Sequence, residues 1–168
     1  MAALLRSPLA LALIVFLASG ATVLAALAFE HIGGYEPCAL CLTERVPYYL
    51  ALPVAAFAAG AAWRAAPPAL LILVFAGLAL IMAVSAGLGV YHAGVEWDFW
   101  EGPAACAPTG GPSDATSMLN SLQAGNVGPS CEDAVWRFLG LSFAGWNVVA
   151  SLFLVTLALL GMVSARRR

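Results

Sequence analysis

Four apolar stretches, each long enough to cross a bilayer, restrict what this chain can fold into. The first, about residues 9–29, is broken only by Ser19, Gly20 and Thr22, and a membrane helix needs about 20 such residues. Comparable stretches follow at about 46–63, 69–90 and 143–163. Of the 168 residues, 62% are hydrophobic and 10% are charged, whereas soluble domains are about 45–50% apolar and about 25% charged. The expectation is an all-α membrane protein: one domain over residues 1–168, a four-transmembrane-helix bundle with external loops at about 30–45 and 91–142. The third stretch is rich in Ala and Gly, which lets neighbouring helices approach closely. A rival reading makes the first stretch a cleaved signal peptide, since Arg6 precedes it and Ala18-Ser19-Gly20-Ala21 is small. Signal h-regions are only about 7–15 residues long, and this run continues past the candidate cleavage site.

Charge orients the spans. The chain has no lysine; Arg6, Arg64 and Arg166 to Arg168 fall on one side of the bilayer with no acid among them. All nine acids fall on the other side, together with Arg45 and Arg137. The excess of basic residues in cytoplasmic segments then places both termini in the cytoplasm and the two loops outside. A nucleic-acid partner is excluded, because no basic stripe exists beyond the short tail.

The second external loop is long and, from 103 to 129, rich in Gly and Pro, a composition that reads as a mobile segment. The amphiphilic, aromatic stretch 133–139 is expected to lie along the interface before the last helix. Trp97, Trp100, Trp136 and Trp146 read as interfacial anchors. Pro47 and Pro53 interrupt the second span, and proline inside a helix removes a backbone hydrogen bond. The cysteines just upstream are therefore expected on a turn separate from that helix.

Those cysteines carry the chemistry. Cys38 and Cys41 form a Cys-x-x-Cys pair in the first loop, and Cys106 and Cys131 lie in the second. One reading is two structural disulfides, common in exported segments. Against it, a Cys-x-x-Cys closes a very small loop and gains little from cross-linking, while the same spacing suits a reversible dithiol. Zinc is not expected: zinc modules bring their ligand pairs about 15–20 residues apart, and two spans separate Cys41 from Cys106. Arg45 lies four residues after Cys41, on the same face of a helix, where a guanidinium favours thiolate over thiol. Its alternative role is snorkelling to headgroups.

The run Pro37-Cys38-Ala39-Leu40-Cys41-Leu42-Thr43-Glu44-Arg45, then Cys106, then Cys131 to Leu141 with its Trp136-Arg137-Phe138-Leu139-Gly140 segment, resembles the DsbB family. These are bacterial inner-membrane disulfide bond formation proteins, and the likeness covers nearly the whole chain. The resemblance implies a quinone-dependent oxidoreductase that reoxidises a periplasmic thioredoxin-fold dithiol oxidase (DsbA-like) and passes two electrons to a membrane quinone, ubiquinone or menaquinone. It implies that Cys106 joins the partner in a mixed disulfide, that Cys131 is its loop mate and exchanges with Cys38, and that Cys41 faces the quinone as a thiolate. It also implies quinone-binding roles for Arg45 and for His92, just past the third span. Alternatives are the same scaffold serving a dedicated partner, and a non-enzymatic membrane protein with structural external disulfides. His31 has no counterpart in the resemblance, and Glu44 reads as a helix-start residue. The stretch 109–128 matches nothing in it.

Overall fold

Each long helix begins where a side chain or a proline can answer the unpaired backbone donors of its first turn. In a computed structural model, which describes residues 7–103, 106 and 130–167, Ser7 opens α1 (Pro8–His31) and its hydroxyl accepts the Ala10 N–H. Pro8 stands at the first helical position, where a missing N–H costs nothing. Cys38 opens α2 (Ala39–Trp63). Pro67 precedes α3 (Pro68–Glu96). Ser142 opens α4 (Phe143–Arg166) and accepts the Gly145 N–H. All four are long and apolar enough to cross a membrane.

The helices run up and down: α1 packs on α2 and α4, and α3 packs on α2 and α4. The ends carrying the external loops therefore gather at one face. Tight packing comes from small residues. Ala51, Ala55, Ala58 and Ala59 of α2 are buried in one core with Leu11, Val15 and Phe75, and the ring of Phe75 lies directly against Gly161. Within lipid such contacts act through dispersion and shape, since burial from tails gains no hydrophobic free energy. Polar groups inside the bundle are satisfied locally or across helices. Thr22, Thr43 and Thr156 donate to carbonyls one turn back. Tyr48 of α2 donates to Asn147 Oδ1 at 2.7 Å and lies 2.9 Å from Ser151 of α4, whose hydroxyl reaches Ser85 of α3. This chain of hydroxyls ties three helices together below the cysteine face.

Two expectations change. The second helix does not begin near Val46 after a separate cysteine turn; it runs from Ala39 through both Pro47 and Pro53. The missing proline donors cost backbone bonds, yet the packed bundle holds the helix continuous. The aromatic stretch 133–139 is not a single interfacial element. Arg137–Phe138 (β1) pairs antiparallel with Leu141–Ser142 (β2), turning through Leu139 and Gly140. Both turn residues have positive φ, 52° and 82°, which is the two-residue hairpin turn whose twist matches its strands. The segment 109–128, Arg6 and Arg168 lie outside the described residues.

A Cβ added at Gly161 would stand 2.4 Å from the Phe75 ring, whereas one at Gly77 meets nothing within 4 Å. Gly161→Ala is expected to destabilise the detergent-solubilised protein by about 1–3 kcal/mol, and Gly77→Ala to leave it unchanged or slightly firmer. Equal melting curves for the two would mean that Phe75 is free to move aside.

Candidate functional site

Cys-x-x-Cys spacing equals the spacing from a helix N-cap to its third residue. Cys38 takes the N-cap of α2 with an extended backbone, and its Sγ accepts the Cys41 N–H at 3.2 Å. A sulfur thus does what a Ser or Asp oxygen usually does, facing the positive end of the helix dipole. The Cys41 thiol also hydrogen-bonds this sulfur; burial opposes ionisation, but with His92 the contacts hold Cys38 down to about 4. Cys38 and Cys41 are not joined to each other here, and these contacts favour the thiolate at Cys38.

His92, near the end of α3, points at Cys38 from across the interface. One ring nitrogen, Nε2, lies 3.6 Å from Cys38 Sγ, and the other, Nδ1, lies 2.7 Å from Glu44 Oε1 on α2. Both residues are buried. Glu96, one turn after His92, brings Oε1 to 4.0 Å from Nε2, while its Oε2 is buried without a hydrogen-bond partner among the described residues. On the outer side of this group, Cys106 and Cys131 are joined in a disulfide. Cys38, Cys106 and Cys131 share a small buried cluster with Leu40 and Val95. Cys38 Sγ, Cys131 Sγ and a His92 ring nitrogen all lie within 4.8 Å of one another. With Cys131 tied in a disulfide, that trio offers one thiolate and one imidazole, short of the four ligands a structural zinc takes. What it does offer is a thiolate beside a disulfide sulfur, the geometry from which thiol–disulfide exchange proceeds.

On the other side of Cys41 lies a cavity of about 450 Å³, between the outer halves of α1, α2 and α4. Ligand pockets are typically about 300–1,000 Å³, mostly apolar with a few converging polar groups, and this one fits that description. Phe29, Tyr35, Trp136 and Phe143 form one wall, with Trp136 stacked on Phe143 at 4.8 Å and Phe29 edge-on to Phe143 at 5.0 Å. Cys41, Glu44, Arg45, Tyr48 and Asn147 supply the polar points. Arg45 does not extend into solvent; its guanidinium is held by Glu30 at the end of α1. The hairpin places Trp136 and Phe138 over this cavity, which explains why the aromatic stretch folds back as it does.

The four expected cysteines and His92 thus meet in one place, and Arg45 stands on the cavity wall. His92 does not line that cavity; it lies on the Cys38 side. Glu30 and Glu96 are the residues that sequence reasoning did not single out, and Glu44, expected only as a helix-start residue, lies buried against His92 instead. An isolated acid at the end of an apolar run (Glu30) and a His and Glu one turn apart (His92 and Glu96) were the available signals.

Comparison with known proteins shows the family. The family model for disulfide bond formation protein DsbB matches residues 8–161. The chain is similar to disulfide bond formation protein B of Marinobacter nauticus, 35% identical over 158 residues covering 89% of each chain. It is likewise similar to that of Saccharophagus degradans, 32% identical over 154 residues and 88% of each chain. The protein of Methylococcus capsulatus is 32% identical over 158 residues, spanning 90% of this chain and 92% of the relative. No solved structure matches the chain. The chain belongs to the DsbB family and is a multi-pass membrane protein of disulfide bond formation.

With its contacts holding it down to about 4, Cys38 is charged from about pH 6 to 8, where an ordinary thiol of pKa about 8.5 is mostly protonated. Alkylation of the dithiol form, mapped by mass spectrometry, should give Cys38 a rate that is flat from about pH 6 to 8. A rate climbing tenfold per pH unit through that range would show an unperturbed thiol instead.

Proposed function

We propose that this member of the DsbB family reoxidises a soluble thioredoxin-fold dithiol oxidase and delivers the two electrons to a membrane quinone. The setting is the bacterial inner membrane, with both termini in the cytoplasm and the cysteines in the periplasm, as the arginine distribution favours. The observation that carries the reading is the position of the Cys-x-x-Cys pair. Cys38 lies against the loop disulfide and Cys41 opens onto the large cavity, so one pair bridges a protein-facing sulfur and a ligand-sized space.

Each step is attack of a thiolate on a disulfide sulfur. A partner thiolate attacks Cys106, and the electron pair of the broken bond leaves on Cys131. Cys131 then attacks Cys38 of a Cys38–Cys41 disulfide, and Cys41 departs as thiolate toward the cavity. The partner's second thiol releases Cys106, which closes again on Cys131 and expels Cys38 as thiolate. The state described above, a loop disulfide with a reduced Cys38 and Cys41, is the product of that last exchange. A quinone supplies the two-electron acceptance that returns Cys38 and Cys41 to the disulfide. Arg45 and Asn147 offer donors to its oxygens, and Phe29, Trp136 and Phe143 offer apolar faces to its ring. For His92 the contact with Cys38 supports a role at the thiolate over a direct contact with the ring.

Reduced partner, purified protein and quinone should give loss of quinone absorbance, and Cys41→Ser should abolish it. Absence of turnover, or a Cys41→Ser variant as fast as wild type, would overturn the relay. Arg45→Ala should raise the apparent quinone KM about tenfold or more, in line with a charge-assisted hydrogen bond. An unchanged KM would return Arg45 to a purely anchoring role with Glu30.

A further inference from the structure

We infer that Glu44 is a positioning residue for the relay: it fixes the His92 ring so that Nε2–H faces Cys38, making a Cys38–His92–Glu44 triad that stabilises the thiolate as it leaves Cys131. The inference rests on the relay proposed above and assigns a part in it to a residue that relay does not otherwise need.

Glu44 Oε1 accepts from Nδ1 at 2.7 Å, a short contact of the kind made when a carboxylate meets an imidazole N–H. A ring held at Nδ1 has one remaining direction for Nε2, and that direction is Cys38 Sγ at 3.6 Å. The three groups come from two helices and are buried, where a hydrogen bond to charge is stronger than in water. A surface acid one turn inside a helix start needs no such partner. Buried, Glu44 would be a costly isolated charge unless it were paired, and His92 is its partner.

The exchange balances without any added oxidant. Cys106 thiolate attacks Cys131, the Cys106–Cys131 bond forms, and the Cys38–Cys131 bond breaks. The electron pair stays on Cys38, where Nε2–H is already aimed. In the reverse direction the same thiolate is the nucleophile. Charged and titratable groups surround the site on every element: Cys41 and Glu44 on α2, Glu96 on α3, Glu36 of the first loop and Asp133 beside Cys131. Glu96 is the nearest competitor, 4.0 Å from Nε2. That separation is beyond a hydrogen bond, so Glu96 does not orient the ring as Glu44 does. The depressed Cys38 titration agrees with a donor aimed at the sulfur.

Three full-length proteins test this: wild type, Glu44→Gln, which keeps an acceptor for Nδ1–H and drops the charge, and Glu44→Leu, which drops both. The Cys38 alkylation midpoint in the dithiol form should rise toward the ordinary thiol value of about 8.5 in Glu44→Leu, and lie between the two in Glu44→Gln. Single-turnover closure of the loop disulfide at pH 6 should slow about tenfold or more in Glu44→Leu, with partial rescue in Glu44→Gln. Quinone KM is measured on the same three proteins to separate an effect on the thiol from one on the cavity. A midpoint unmoved in both variants overturns the triad. So does a raised quinone KM with an unmoved midpoint, because Glu44 also lines the large cavity and would then be serving it. Should Glu44→Leu not fold, the Glu44→Gln midpoint decides alone: a rise supports the triad and no rise overturns it. Alkylation needs neither partner nor quinone, so failure of the relay and failure of the triad register separately.

Discussion

Everything at the outer face of this bundle depends on a sulfur capping a helix. The first turn of α2 presents unpaired N–H groups, and Cys38 Sγ satisfies one of them. That cap, with the Cys41 thiol and His92 beside it, sets which of the two cysteines is charged. It also sets where the charge points, toward His92 and Cys131, and leaves Cys41 one turn further on to face the cavity. A Ser or Asp cap would hold the helix equally well. Only a cysteine makes the cap itself a redox group, so that joining Cys38 to another sulfur removes charge from the helix end and releasing it restores that charge.

Around this cap the molecule separates two environments that a single loop could not provide. Outward of Cys38 is a small buried cluster of sulfur and aliphatic carbon, suited to sulfur exchange without water. Inward of Cys41 is a roomy aromatic cavity. The wall between them is the first turn of α2, and Glu44 touches both sides. The hydroxyl chain of Tyr48, Ser151 and Ser85 beneath ties together the three helices that meet there.

Much of this was legible in the residues. The four spans follow from run length alone, because a bilayer demands about 20 apolar residues per helix. The gathering of the cysteines at one face follows from charge asymmetry. The start of α2 was harder, since Pro47 and Pro53 read as breaks in an isolated helix while lateral packing in the bundle sustains it. The Leu139-Gly140 turn was hidden inside an aromatic run that also suits an interfacial segment. Glu30, Glu44 and Glu96 were the least visible. Glu30 and Glu44 find their partners on other helices, 48 residues away for Glu44 and His92, and no local pattern encodes such a pairing.

The ion pair of Arg45 with Glu30 bears on which molecules the cavity admits from the surrounding lipid. A bare guanidinium at a membrane face would attract anionic groups. With a carboxylate already seated on it, an arriving phosphate has to evict a covalently tethered rival and bring a second negative charge beside Glu44. A neutral carbonyl faces neither obstacle, since a guanidinium has five N–H donors and can share one without releasing the carboxylate. The salt bridge thereby lowers the net charge that Arg45 brings to the cavity wall.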